Sequence, residues 1–253
     1  MNDEPAWLHG YRRKGFAHLP SVIGTAEADD LSRESARIAE LPGLLDPDNL
    51  RTRVASADAG STVERTVDRI DPVTDLSPSI ADLASDDRIV GPVTAAVGAQ
   101  VVLFKDKLIL KPPGADGYAM HQDAAYWPIE PPAIGSLAAM LAIDASGAEN
   151  GALELVPGLH HGLLTPAGVP TDLDPSTLPE PEMLTLEPGD LVLFSLLTPH
   201  RSAGNASDRP RRALFFTFVP DDGTDQRTAY YEAQQRRLLD QLPPERRERA
   251  VFR

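Results

Sequence analysis

Short apolar runs separated by turn residues dominate the chain from Val101 onward. Five such segments are separated by stretches that contain Gly, Pro or Asn: VVLFKDKLIL, SLAAMLAID, ALELVP, DLVLFSLL and RRALFFTFVP. Many short strands without alternating helices predict a β-sandwich or jelly roll rather than a parallel α/β sheet. Asn150-Gly151, in ENGALELV, predicts a tight turn between two of these strands.

The first hundred residues show a helical pattern instead. In TAEADDLSRESARIAEL, a candidate N-cap, Thr25, precedes apolar residues at helical spacing. These residues are Leu31, Ile38 and Leu41. Ser77-Pro78 predicts the start of a second helix, because Ser caps helices and Pro fits their first turn.

Neither an internal repeat nor a linker divides the sequence, so we expect one domain over residues 1–253. Its helical part covers residues 1–100, its β core about 101–220 and a C-terminal amphipathic helix about 226–250. A Pro- and Asp-rich segment at residues 163–181 predicts a long loop, which is either a lid or disordered.

The amino-acid composition limits the kinds of binding partner and the cellular location that we expect. The net charge of −14 argues against nucleic acid and anionic membranes, because the field would repel both, and favours small molecules. There is no cysteine, which excludes thiol nucleophiles and thiolate metal sites. The N-terminus lacks a signal-peptide pattern, and the longest apolar stretch, Ile134 to Ile143, is too short to span a bilayer. We therefore expect a cytoplasmic protein.

Candidate metal ligands occur in KPPGADGYAMHQDAAYWP, where His121 and Asp123 follow a Pro/Gly turn. With six His and 38 acidic residues, about one His-x-Asp/Glu pair is expected by chance, so this pair alone is weak evidence. His200 follows the predicted strand DLVLFSLL and supplies a third candidate. Two imidazoles and one carboxylate leave three positions of an octahedral metal open for ligands.

An arginine pair opens the last predicted strand, RRALFFTFVP. Side chains alternate along a strand, so only one of Arg211 and Arg212 can face the metal. Arg211 shares a face with small and polar residues, whereas Arg212 shares one with Leu214 and Phe216, which predicts packing against a helical layer with its head in solvent. A buried guanidinium needs a carboxylate, which a dicarboxylate cosubstrate would supply. Ser202 could donate a second hydrogen bond to it.

Three motifs together, HQD at 121–123, ENGALELVPGLHHG at 149–162 and PHRSAGNASDRPRRALFF at 199–216, resemble the phytanoyl-CoA dioxygenase family of iron(II)- and 2-oxoglutarate-dependent oxygenases. The resemblance runs from about Val101 to Pro220 and implies a double-stranded β-helix, a cupin-like jelly roll. It implies that iron is held by His121, Asp123 and His200. It also implies that 2-oxoglutarate is held by Arg211, Ser202 and Lys107.

Residues beside the HQD motif are candidates for the substrate pocket. These are Gln122, Tyr126 and Trp127. The two aromatic residues are equally well explained as core residues. His160 and His161 follow a Pro-Gly turn and are expected on a solvated loop.

The activity implied by the resemblance is oxidation of an unactivated C–H of a small molecule, with release of succinate and CO2. Asp123 predicts hydroxylation, because related halogenases carry Gly or Ala there. The Ala-, Arg-, Asp- and Pro-rich composition is typical of a GC-rich bacterial genome, where enzymes of this kind often modify secondary metabolites, so we expect such a substrate. Alternatives are an acyl-CoA 2-hydroxylase of the phytanoyl-CoA type, or epimerisation, cyclisation or desaturation. Outside this class, a zinc hydrolase or a noncatalytic jelly-roll binding module remain open.

Overall fold

The computed structural model describes residues 4–54, 66–126, 135–166 and 172–252. The strands are β1 Phe16–Leu19, β2 Thr52–Val54, β3 Val67–Ile70, β4 Val101–Ile109, β5 Tyr118–His121, β6 Leu137–Ala142, β7 Leu153–Leu155, β8 Glu182–Met183, β9 Leu191–Ser195, β10 His200–Ser202 and β11 Ala213–Pro220. The helices are α1 Ala6–Lys14, α2 Thr25–Ala39, α3 Pro78–Ala84, α4 Asp87–Val97, α5 Gln226–Gln241 and α6 Pro244–Arg247.

Two antiparallel sheets form the β core. The larger sheet has the order β1-β9-β6-β11-β4-β3-β2, and the smaller has the order β5-β10-β7-β8. The five predicted strand segments form β4, β6, β7, β9 and β11, which confirms the predicted jelly-roll architecture. The other strands have two to four residues each, too few to show a periodic pattern.

Strand β11 separates two apolar layers by its alternation. Leu214 and Phe216 pack with the buried faces of the N-terminal helices. Ala213 and Phe215 pack with residues of the smaller sheet, including Leu155. The site therefore lies on the side of the larger sheet that faces away from the helical layer.

The predicted helix starts are partly correct. The prediction for α3 is confirmed, since the Ser77 hydroxyl accepts a hydrogen bond from the Ile80 amide at 3.4 Å. Thr25 as an N-cap is wrong: Gly24 occupies that position and Thr25 is already helical. The C-terminal helix is shorter than predicted and stops before Pro243, which cannot continue an α-helix.

The turn at Asn150-Gly151 connects the two sheets instead of forming a hairpin. A short 3₁₀ turn, Ala148–Asn150, leads into Gly151 at φ +74°, and β6 and β7 then lie in different sheets. A Cβ on Gly151 would lie 2.2 Å from the Ala203 carbonyl oxygen, so only glycine fits. This turn brings the Gly151 carbonyl beside β10.

Part of the predicted loop at 163–181 lies beside β5. The Leu173 amide donates to the Met120 carbonyl at 2.8 Å, and the Tyr126 hydroxyl donates to Asp172 at 2.8 Å. Its residues 167–171 fall outside the described ranges, and its role as a lid stays a prediction. Among the described helices, none is both long and apolar enough to cross a membrane.

Candidate active site

Two neighbouring strands and the turn that follows one of them bring together the three side chains of the predicted metal site. His121 ends β5 and His200 begins β10, and the two residues are direct partners in the antiparallel pairing. Asp123 follows in a 3₁₀ turn. One ligand atom from each residue lies within 4.8 Å of the others. Within the described part of the chain, this is the one group of three or more His and acidic residues arranged to hold a metal.

Backbone carbonyls orient both histidine rings. His121 Nδ1 lies 2.7 Å from the Ala119 carbonyl oxygen, and His200 Nδ1 lies 3.0 Å from that of Thr198. A carbonyl can only accept, so each Nδ1 carries the proton and each Nε2 keeps a free lone pair. His121 Nε2 lies 3.7 Å from Asp123 Oδ1. Both rings therefore present Nε2 as the ligand atom.

The charge states also suit a divalent cation. Burial opposes the ionisation of Asp123, but the positive charge of Lys107, the largest of the opposing effects, helps to lower the pKa of this carboxyl below its usual value. Burial and the neighbouring His121 lower the pKa of His200 to about 3. A carboxylate and two neutral imidazoles are the ligand set of non-haem iron(II) oxygenases, so the donor chemistry fits iron.

One cavity beside these ligands, the Arg211 cavity, is lined by residues that include Lys107, His200, Ser202 and Arg211. Arg211 is 3% exposed, and its Nη2 donates to the Gly151 carbonyl oxygen at 2.9 Å. Its buried Nε has no hydrogen-bond partner among the described residues. Burial lowers the pKa of Arg211 to about 10. A buried guanidinium with an unsatisfied donor beside a cavity fits a carboxylate ligand.

The Ser202 hydroxyl faces the same cavity and accepts a hydrogen bond from Lys111 Nζ at 2.8 Å. Sequence reasoning missed Lys111, whose only signal was a lysine directly after the apolar run LIL. Lys107 lies opposite Phe215 in the β4–β11 pairing, with Nζ 4.8 Å from the ring centroid. Lys107 therefore borders the cavity close to the metal ligands.

Arg212 points to the opposite face of the sheet. Its Nε and Nη2 donate to Asp144 at 2.7 and 2.8 Å, and its Nη1 donates to the Ser32 carbonyl oxygen at 2.9 Å. The expectation that its head lies in solvent is wrong, because Asp144 follows the neighbouring strand β6 and pairs with it. The two arginines thus have separate environments.

A second cavity, the basic cavity, is lined by residues that include His121 and Asp123, and it shares Lys107 with the Arg211 cavity. Its basic lining residues are Arg53, Arg69, Lys105, Lys107 and Arg237, and its acidic ones are Asp71, Asp123 and Asp172. Lys105 is ion-paired with Asp71, and Arg53 with Asp68. The buried Nε of Arg69 has no hydrogen-bond partner in the described ranges. Sequence reasoning missed this cluster, because its members are distant along the chain.

The predicted pocket residues have different positions. Tyr126 lines the basic cavity, with its ring edge-on to His121 at 5.3 Å between centroids. Gln122 lies outside both cavities, because its neighbours on either side face inward. Its amide instead donates to the carbonyls of Gly162 and Leu197 and accepts from the Leu164 amide. Gln122 therefore lines neither of these two cavities, and its place in a substrate pocket stays a prediction, as does that of Trp127, which lies outside the described residues.

His160 and His161 do not form part of the site. Their rings stack on each other at 4.0 Å between centroids, and neither lines the Arg211 cavity or the basic cavity. His160 is partly buried against Gly15, whereas His161 is exposed. The expected loop position is observed.

Comparison with known proteins gives the family. Residues 11–213 match the family model described as phytanoyl-CoA dioxygenase (PhyH). The chain belongs to this family. It is a dioxygenase of the class that depends on iron(II) and 2-oxoglutarate, so the zinc-hydrolase and noncatalytic alternatives are set aside. The match extends well upstream of Val101, where the resemblance in the sequence motifs is weak.

Two curated relatives are similar along most of the chain. A 2-aminoethylphosphonate dioxygenase from an uncultured bacterium is 31% identical over 246 residues, covering 93% of this chain and 87% of the relative. A methylphosphonate hydroxylase from Gimesia maris is 30% identical over 238 residues, with the same coverage.

Solved structures confirm the fold. The carbocyclase SnoK from nogalamycin biosynthesis has a TM-score of 0.72 at 20% identity, covering 87% of this chain and 85% of that one. EctD from S. alaskensis, with 2-oxoglutarate and 5-hydroxyectoine, has a TM-score of 0.72 at 24% identity, covering 87% and 78%. The family fold, a cupin-like double-stranded β-helix, is the one predicted from the motifs.

Proposed function

We propose that this dioxygenase hydroxylates a C–H bond of a small organophosphonate. In this proposal iron is held by His121, Asp123 and His200, 2-oxoglutarate occupies the Arg211 cavity, and the substrate occupies the basic cavity. The observation that carries the proposal is that the candidate ligands line two cavities, one with a buried, unsatisfied arginine and a second that is rich in cationic side chains.

The protein's part in the reaction is to bind and aim the reactants. When bound, iron and 2-oxoglutarate would couple the oxidative decarboxylation of the cosubstrate to oxidation of the substrate. Arg211 and Ser202 offer donors to the distal carboxylate of 2-oxoglutarate. Lys107, which borders both cavities, adds positive charge near both anions. The carbonyls of Ala119 and Thr198 accept hydrogen bonds from the two Nδ1 atoms and so orient the two imidazoles.

The charge of the basic cavity supports an anionic substrate. Five basic and three acidic side chains line it in a protein whose net charge is −14, and one of the three acids is the candidate ligand Asp123. The buried Nε of Arg69 has no hydrogen-bond partner in the described structure, as expected of a residue that binds an oxyanion of the substrate. The two curated relatives described above are named for phosphonates.

Substrate-dependent succinate release tests the proposal. The enzyme is assayed with iron(II), 2-oxoglutarate and oxygen against methylphosphonate, 2-aminoethylphosphonate, and alcohols and amides of matched carbon skeleton. We expect the phosphonates alone to stimulate succinate formation and to give a hydroxylated product by phosphorus NMR. Stimulation by the neutral compounds, or by none of the panel, would contradict an organophosphonate substrate.

A matched pair of variants connects the substrate to the basic cavity. Arg69→Gln should raise the KM for the phosphonate roughly 10-fold or more, because a charge-assisted hydrogen bond is lost. Arg88→Gln is the control, since Arg88 is an exposed arginine paired with Glu27 and Asp86 on the helical side. Equal KM values in both variants would place the anion elsewhere.

Product analysis also distinguishes hydroxylation from the other reactions of this enzyme class. A secondary-metabolite substrate, a cytoplasmic location, and hydroxylation rather than epimerisation, cyclisation or desaturation stay predictions. A long-chain acyl-CoA is included in the panel because its phosphates would also suit a basic cavity. Acyl-CoA turnover without phosphonate turnover would favour the phytanoyl-CoA type of activity.

A further inference from the structure

We propose that Lys111 is a positioning residue of the Arg211 cavity. Lys111 fixes the Ser202 hydroxyl and the Gly151 carbonyl that accepts from Arg211, and it thereby sets the affinity for 2-oxoglutarate. This inference rests on the proposed function, which assigns Arg211 and Ser202 to the cosubstrate. Lys111 does not line the cavity. It acts from behind, through the residues that do.

The backbone of Lys111 is hydrogen-bonded directly to that of Arg211. Its carbonyl oxygen accepts from the Arg211 amide at 3.1 Å and from Asn205 Nδ2 at 2.9 Å. Its φ of +34° is uncommon for a residue with a side chain, and Lys111 is 1% exposed. A flexible, charged residue held in a strained backbone conformation and fully buried indicates a specific role.

The ammonium group determines which way the Ser202 hydroxyl can donate. Lys111 Nζ donates to Ser202 Oγ at 2.8 Å, to the Gly151 carbonyl at 3.3 Å and to the Ala203 carbonyl. Three acceptors match the three N–H donors of a protonated lysine, which has no acceptor of its own. Because Ser202 Oγ accepts from Lys111, its own proton is left to donate into the cavity, which is what a carboxylate requires.

Lys111 and Arg211 also share one acceptor. The Gly151 carbonyl oxygen accepts from Lys111 Nζ and from Arg211 Nη2. A Cβ at Gly151 would lie 2.7 Å from Lys111 Nζ, so the turn and the ammonium are in close contact. Loss of the ammonium would therefore loosen the carbonyl that aims the Arg211 guanidinium.

Two buried cations, Arg211 in the cavity wall and Lys111 behind it, favour an anionic ligand. The charged groups acting on Lys111 are Arg211, Arg53 and, with opposite sign, Asp68. Burial, then Arg211 and Arg53, lower the pKa of Lys111 to about 7. A bound dicarboxylate would compensate the charge and raise this pKa again. Above about pH 7, binding of 2-oxoglutarate should therefore draw a proton onto Lys111.

Calorimetric titration of the anaerobic iron(II) enzyme tests the positioning role. Lys111→Met should weaken 2-oxoglutarate binding roughly 10- to 100-fold, because the hydroxyl and the guanidinium lose their orientation. Binding of 2-oxobutyrate, which lacks the distal carboxylate, should be nearly unchanged. Lys14→Met is the matched control, since Lys14 pairs with Glu182 and lines neither cavity. Equal losses for both ligands, or no loss, would overturn the role.

Proton uptake provides a readout that a purely structural lysine would not change. Titrations at about pH 8 in buffers of different ionisation enthalpy should show proton uptake by the wild type that is absent in Lys111→Met. Identical proton counts in the two proteins would contradict the coupling.

Chemical rescue keeps the test decisive if Lys111→Met folds poorly. The chain contains no cysteine, so Lys111→Cys provides a single thiol that 2-bromoethylamine converts, in the unfolded protein, to a lysine analogue before refolding. The aminoethylated protein should regain affinity for 2-oxoglutarate, and the carboxamidomethylated one should not. Arg211→Ala distinguishes a failure of the proposed cosubstrate cavity from a failure of the proposed role of Lys111. If Arg211→Ala binds 2-oxoglutarate normally, the proposed cavity is wrong; if only the Lys111 variants bind normally, the inference alone fails.

Discussion

At the scale of single residues, neighbours in sequence have opposite roles. Arg211 lines a cavity and keeps one buried nitrogen without a partner among the described residues, whereas Arg212 points to the opposite face of the sheet and pairs with Asp144. Likewise, His121 and Asp123 face the metal site while Gln122 between them joins three backbone segments. The period of two along an extended chain explains both cases.

Arg211→Ala should increase the dissociation constant for 2-oxoglutarate by a factor of roughly 30 to several thousand. This range corresponds to the loss of about 2–5 kcal/mol from a buried bidentate pair. Arg212→Ala should leave that constant within a fewfold and instead lower the free energy of unfolding by about 1–3 kcal/mol, because Asp144 loses its partner. Calorimetry and urea denaturation measure the two effects. A larger change in cosubstrate affinity for Arg212→Ala would contradict the observed register.

Asp123→Gly should abolish hydroxylation even where some iron is retained, because the site keeps two imidazoles without the carboxylate that neutralises the cation. Halogenation need not replace hydroxylation, since a halide also requires supporting contacts. Metal content by mass spectrometry and product formation are measured together. An Asp123→Gly protein that hydroxylates at the wild-type rate would show that Asp123 is not a ligand.

At the scale of elements, the sequence predicts long strands well and short ones poorly. The apolar runs that form β4 and β11 extend over eight or nine residues, long enough for alternation to be visible. Strands β5 and β10, which carry the two histidines, have four and three residues, and motif spacing rather than periodicity indicates them. The sequence did not predict the roles of Lys111 and Arg69, because the residues around each of them come from strands and turns that are far apart in sequence.

The turn before β7 should be intolerant of a side chain. Gly151→Ala combines a left-handed backbone with a Cβ 2.2 Å from the Ala203 oxygen, so we expect a loss of about 1–3 kcal/mol in stability and weaker 2-oxoglutarate binding. Gly10→Ala, inside α1 with no atom within 4 Å of the new Cβ, is the control and should be neutral or stabilising. Thermal denaturation compares them, and similar melting temperatures would argue that the turn can relax.

At the scale of the whole molecule, a strongly acidic protein encloses a basic cavity. The outer charge repels anions at long range, while the cavity attracts them at short range. Long-range repulsion is screened by salt more than contacts between partly buried groups. The balance of these two effects is open to measurement.

Raising ionic strength from about 0.02 to 0.2 M should therefore speed the association of a phosphonate while changing its equilibrium affinity less, because screening acts mainly on the outer field. Stopped-flow measurement of association and calorimetry of binding separate the two quantities. A slower association at higher salt would show that attraction by the cavity dominates even at long range.

Because His121 pairs directly with His200, a metal ion held by both imidazoles would cross-link the adjacent strands β5 and β10. A divalent ion held by both imidazoles closes a long stretch of chain into a ring, and such cross-links stabilise the native state only while they persist. Heating or protease should thus open the metal-free protein first where β5 meets β10, and Mn(II) should delay that opening in the wild type but not in Asp123→Ala. In a cell short of iron, the lifetime of this enzyme as a molecule would shorten together with its activity.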